Sequence, residues 1–117
     1  IGIEDLNTSN VTTVRNMFEN CDAFDQPLGN WEISNVTDFR DFMVNATGLS
    51  TINYDTTLIG WEGSLQDTYP DGEGYPISGL RTPNFGGSQY TLGGTAEAAR
   101  TSLINNYGWG ITDGGGI

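Results

Sequence analysis

Val14-Arg15-Asn16-Met17-Phe18-Glu19-Asn20-Cys21 returns further along the chain as Phe39-Arg40-Asp41-Phe42-Met43-Val44-Asn45-Ala46, and this pairing decides how the sequence is read. Widened on both sides, the match sets Leu6–Asp25 against Trp31–Ser50 at an offset of 25 residues. Six of the twenty pairs are identical, at Ser9, Asn10, Val11, Thr12, Arg15 and Asn20, where ordinary composition gives about one or two. The apolar positions also superpose: Val14, Met17, Phe18, Cys21 and Phe24 fall on Phe39, Phe42, Met43, Ala46 and Leu49. A fixed period of this length marks stacked repeats, in which no copy buries its apolar side alone.

Within a copy, Val14, Met17, Phe18 and Cys21 stand at i, i+3, i+4 and i+7, the stripe of a short amphipathic helix. Phe39, Phe42, Met43 and Ala46 repeat that stripe, and Thr12 and Thr37 stand where an N-cap hydroxyl belongs. Asp25-Gln26-Pro27-Leu28-Gly29-Asn30 has turn chemistry, and Trp31-Glu32-Ile33 alternates as a short strand does. The expected fold class is therefore an α/β solenoid, leucine-rich-repeat-like, with two strand–helix repeats in residues 1–50.

The second half leaves the period. Tyr54, Thr57, Leu58 and Trp61 predict a helix from about Asn53 to Gly60, and Ala96–Tyr107 predicts another behind an N-cap at Thr95, stopped by Gly108. Trp109-Gly110-Ile111 reads as a last short strand, and Gly114-Gly115-Gly116 as the start of a flexible linker. Residues 51–113 are thus expected to form a C-terminal helical and strand cap, with a loop insertion near 66–81, all within one domain. The face around Ile1, Ile3 and Leu6 is expected to be the open end, where adjacent repeats or subunits stack.

Composition removes most chemistries. Fifteen acids against four arginines give a net charge of −11, with no lysine and no histidine. That balance argues against nucleic acid and against anionic membrane surfaces as partners. No apolar run approaches the roughly 20 residues that membrane insertion needs. Ser-His-Asp and Cys-His pairs, imidazole metal sites, Schiff bases and P-loops all lack a required residue. A pair of carboxylates, as in glycoside hydrolysis, is the enzymatic template left, and the chain is read as non-catalytic.

The run from Val14 to Asp38, with Met17-Phe18, Cys21, Phe24-Asp25-Gln26-Pro27-Leu28, Trp31-Glu32 and Ser34-Asn35-Val36-Thr37-Asp38, resembles the repeat of BspA-like bacterial surface proteins, relatives of the leucine-rich repeats. Asn53–Trp61 and Ala99–Gly115 resemble the segment that closes such arrays, and Gln66–Arg81 departs from the family pattern as an insertion. The resemblance implies an extracellular or cell-surface repeat module used in adhesion, with a protein or glycan as partner and no catalytic residues to transfer. A second reading makes the chain a structural subunit joining end to end into a filament or surface layer.

Candidate binding residues lie in the insertion. Asp67, Asp71 and Glu73, beside Gly72 and Gly74, offer oxygen ligands to calcium, though without EF-hand spacing, and a plain solvated loop is the preferred reading of them. Tyr69, Asp71 and Tyr75 are the candidate ligand contacts, since tyrosines give flat amphipathic area at low entropic cost, and packing of the insertion onto the cap accounts for the two tyrosines equally well. Trp31, Trp61 and Trp109 are read as core and Cys21, which aligns with Ala46, as a small buried hydrophobe. Asn10 and Asn35 are expected in equivalent turns where their amides bond neighbouring backbone.

Overall fold

The computed structural model describes residues 6–76 and 78–117. Ile1 and Ile3 of the expected open end lie outside the described residues. The described residues hold two helices, α1 at Thr51–Thr68 and α2 at Thr95–Asn105, and a 3₁₀ turn at Pro70–Gly72. Among the described residues there is no strand and no sheet, only isolated parallel bridges at Thr13–Asp38, Asn84–Thr112 and Tyr90–Gly116. The expectation of an α/β solenoid is therefore overturned: neither copy holds a helix, and neither Trp31-Glu32-Ile33 nor Trp109-Gly110-Ile111 is a strand.

The stripes in the two copies are runs of four-residue turns. Met17 donates its N–H to the Val14 carbonyl at 3.1 Å and Cys21 to Phe18 at 3.1 Å; Ala46 does the same to Met43 at 3.0 Å. The third residue of each turn sits in the left-handed region: Asn16, Asn20, Asp41 and Asn45 have φ of 58°, 60°, 55° and 62°. Asn and Asp tolerate that conformation better than other side chains. No α-helix can run through it. A four-residue turn period also places i and i+4 on one side, so Val14 and Phe18, like Phe39 and Met43, are buried much as a helix stripe would be.

Alternate N–H groups of the first copy join it to the second. Val14, Asn16, Phe18 and Asn20 donate to the carbonyls of Asp38, Arg40, Phe42 and Val44 at 2.9–3.1 Å. Such use of alternate amides is incompatible with i→i−4 bonding. Thr12 and Thr37 are not helix caps; the Thr37 N–H and hydroxyl both donate to the Thr12 carbonyl, at 2.8 and 3.2 Å.

The same ladder continues past the second copy. Phe39 and Met43 donate to Leu80 and Asn84 at 2.9 and 2.7 Å, and Phe85 and Tyr90 donate to Thr112 and Gly115 at 2.8 and 3.2 Å. Residues 80–92 and 109–117 thus form a third and a fourth rung. The glycine tail is part of the last one, with Gly114 donating to Ser88 and Ile117 to Tyr90. Gly86 sits where a Cβ would come within 2.5 Å of the Ala46 carbonyl, so glycine there lets the third rung approach the second.

Helix α1 packs across the stack. It is longer than the predicted Asn53–Gly60 and takes in residues 66–68 of the expected insertion. Its polar side chains satisfy backbone of the connecting loop: Thr57 accepts from Leu28 N–H at 3.1 Å, Trp61 Nε1 donates to the Leu28 carbonyl at 2.8 Å, and Ser64 accepts from Ile33 N–H at 3.2 Å. Gly60 meets Gly29 so closely that a Cβ at Gly60 would lie 2.1 Å from the Gly29 carbonyl. Helix α2 starts at Thr95 with Gly94 as its N-cap, one residue earlier than expected.

Aromatic rings fill the space between rungs and α1. Phe42 packs edge-on to Phe18, Trp61 and Phe85, with centroids at 5.3, 5.6 and 5.7 Å, and Phe39 lies against Trp61 and Trp109. All three tryptophans are buried, in keeping with the core role read from the sequence. Cys21 is half-buried, with no disulfide partner.

Candidate functional site

Residues 69–76 leave α1 and lie against the end of α2. Tyr69 and Tyr75 meet edge-to-face at 5.1 Å, and Tyr75 meets Tyr107 in the same way at 5.2 Å. The Tyr107 hydroxyl donates to the Tyr69 carbonyl at 2.8 Å, and Trp109 Nε1 donates to the Tyr75 hydroxyl at 3.1 Å. The Arg81 guanidinium stands over the Tyr75 ring at 4.1 Å and donates through Nη1 to the Pro76 carbonyl. Burial pushes the hydroxyls of Tyr75 and Tyr107 above the ordinary tyrosine range, so both are neutral at physiological pH.

Beside this cluster opens a cleft of about 410 Å³, lined by Tyr75, Pro76 and Ser78 on one side and by Asn105, Asn106 and Tyr107 on the other. Amide, hydroxyl and aromatic groups converge there without a charged side chain among the lining residues. Such a wall suits ligands that offer many hydroxyls or peptide groups.

The sequence candidates are only partly assembled here. Tyr75 lines the cleft, whereas Tyr69 supports it from behind through its ring and carbonyl. Asp71 is exposed at φ 53°, its N–H donating to Gln66 Oε1 at 2.9 Å. Asp67 ends up in the last turn of α1 and Glu73 beyond the 3₁₀ turn. Among the described residues no three carboxylate or thiol groups gather as metal donors, those of Asp67, Asp71 and Glu73 included. Ser78, Asn105, Asn106 and Tyr107 were not foreseen as cleft residues. The sequence places Tyr107 at the end of the helix predicted over Ala96–Tyr107, and nothing in the spacing of 75–78 and 105–108 marks them as neighbours.

A second depression, of about 360 Å³, lies at the first copy among Leu6, Val11, Met17, Phe18 and Trp31. It is mainly apolar, and Leu6 and Met17 are exposed on it. No helix among the described residues is long and apolar enough to cross a membrane.

Compared with known proteins, residues 1–62 match the model of a family described as "Mycoplasma protein of unknown function, DUF285". No curated protein and no solved structure matches the chain. The family match takes in both copies and the first part of α1, and since it spans more than half of the 117 residues, the chain belongs to the DUF285 family.

Proposed function

We propose that the chain is a non-catalytic section of a bacterial surface repeat protein, acting outside the cell in adhesion by recognising a protein or a glycan. Membership of the DUF285 family and the tandem copies support a surface repeat protein. The observation that carries recognition is the uncharged cleft in which Tyr75, Ser78, Asn105, Asn106 and Tyr107 converge from two separate segments held by the stack. Hydroxyl-rich and peptide ligands are bound by such aromatic and amide groups, and neutral walls suit them in a chain of net charge −11, which repels anionic partners.

The test is binding of the labelled chain to a panel of glycans and matrix proteins, in calcium and again in chelator. Asn105→Ala combined with Ser78→Ala removes two polar groups of the cleft, both outside the buried core. The expected result is a ligand whose affinity falls at least about tenfold in the double variant, on the scale of one or two lost hydrogen bonds, with thermal unfolding unchanged. A blank panel in both buffers, or a ligand indifferent to the double variant, removes the cleft as the recognition site.

A further inference from the structure

The two copies share a side chain pattern whose purpose is visible only in the second. Asn35 Nδ2 donates to the Ser9 carbonyl at 2.7 Å, and the Thr37 N–H and hydroxyl donate to the Thr12 carbonyl. Both residues thus reach back to the copy before. Their counterparts Asn10 and Thr12 are identical in type, yet among the described residues their side chains have no acceptor. The backbone shows the complementary deficit. In the second copy the carbonyls of Asp38, Arg40, Phe42 and Val44 are taken by the first. One repeat earlier stand Thr13, Arg15, Met17 and Glu19, and among the described residues no N–H donates to any of their carbonyls.

Packing follows the same rule. Phe42 is fully buried, one of its neighbours being Phe18 of the preceding copy, while its counterpart Met17 is 42% exposed. Trp31 is 3% exposed and its counterpart Leu6 53%. The apolar depression among Leu6, Val11, Met17 and Phe18 is the space that the preceding layer occupies at the second copy.

We infer that this face docks one further unit of the same 25-residue repeat, continuing the established interface between the first and second copies. Asn10 and Thr12 of the first copy donate to carbonyls of that unit, at the positions held by Ser9 and Thr12 in the copy it precedes. The alternate N–H groups of the unit donate to the carbonyls of Thr13, Arg15, Met17 and Glu19, and the ring at its Phe18 position covers Met17. A second copy of the whole chain is disfavoured as occupant, because it would bring two bodies of net charge −11 together.

The experiment places a copy of residues 6–30 directly ahead of residue 6, in place of residues 1–5, and compares it with the original chain. Peroxide oxidation of Met17, followed by peptide mass spectrometry, is expected to slow at least about tenfold in the extended chain, because sulfoxide formation follows exposure. Asn10→Ala with Thr12→Val, made in the first copy, is expected to lower the unfolding midpoint of the extended chain and leave that of the original unmoved. A second version of the added unit, with the apolar residues of the second copy at its inner positions, guards against an extension that folds poorly. Unchanged Met17 oxidation with both versions, or an equal effect of the double variant on both chains, overturns the inference. So does concentration-dependent association of the original chain that itself protects Met17, since the occupant would then be another copy.

Discussion

Replacing Asn45 distinguishes a turn from a helix by the sign of the result. Asn45 is exposed and sits at φ 62° as the third residue of the turn closed by the Ala46 N–H on the Met43 carbonyl, and among the described residues its side chain has no hydrogen-bond partner. In a helix, Asn45→Ala stabilises by up to roughly 0.7 kcal/mol and Asn45→Gly destabilises by a few tenths. In the left-handed region a Cβ costs roughly 1–2 kcal/mol, a penalty that Asn partly escapes and Gly avoids altogether. The expected outcome is a loss of about 1 kcal/mol for Asn45→Ala and a change within about 0.5 kcal/mol for Asn45→Gly. With a urea m-value near 2 kcal/mol/M, the alanine midpoint falls by about 0.5 M. Urea titrations followed by tryptophan fluorescence read this directly, since all three tryptophans are buried. An alanine variant more stable than the parent, with a glycine variant less stable, refutes the turn assignment for the copies.

Further outcomes follow from the packing of α1 and the polar groups around α2. Gly60→Ala drives a methyl into the Gly29 carbonyl and is expected to cost about 1–3 kcal/mol despite alanine's helix propensity, read from a lowered denaturation midpoint. Thr57→Val keeps the volume and strands the buried Leu28 N–H, which is expected to cost roughly 1–3 kcal/mol by the same measurement. Burial raises the Asp113 carboxyl, but donation from Arg100, Tyr54 and the Gly115 N–H outweighs it and holds the group below its ordinary range. A depressed carboxylate stabilises the fold above its unfolded value, near 3.9, and that stability drains as pH falls through the folded value. Asp113→Asn is therefore expected to be less stable than the parent at pH 7 and to flatten the decline below about pH 4, a flattening whose absence in a pH series of melts removes the assignment.

Burial, not fold class, was legible, because burial leaves a mark on sequence. The offset of 25 residues reappears as the register between the copies, and Val14, Phe18, Phe39 and Met43 are inside as their spacing requires. Both helices of the second half were visible in their stripes. The conformation within the copies was not, because a chain of four-residue turns and an α-helix place i and i+4 on the same side. The discriminating signal was Asn16, Asn20, Asp41 and Asn45, each on the exposed third position of a turn and each a poor helix former. The third and fourth rungs left no such mark, since backbone bonds hold them and α1 lengthens the offset. An arginine, Arg81, even takes the buried position that Val14 and Phe39 hold in the copies. Of the cleft, Tyr75 was legible as a tyrosine in a loop, while the α2 residues opposite it are neighbours only through tertiary folding.

The two ends of the stack differ in chemistry, and that difference sets the direction in which the chain can be extended. At the first copy the carbonyls of Thr13, Arg15 and Met17, with the side chains of Asn10 and Thr12, keep the spacing that the second copy uses for pairing. At the last rung the amides turn inward: Gly110, Thr112 and Gly114 donate back to Arg81, Pro83 and Ser88, while Trp109 donates to Leu103 of α2 and Gly115 to Asp113 Oδ1. Asp113 is itself fixed by Arg100 of α2 and by Tyr54 of α1. The helices thus tie off one end with side chains from outside the repeat, whereas the first copy keeps the donors and acceptors by which the two copies pair. The proposed recognition cleft lies at the end of α2, away from the edge where units pair, so lengthening the stack leaves it open to a ligand.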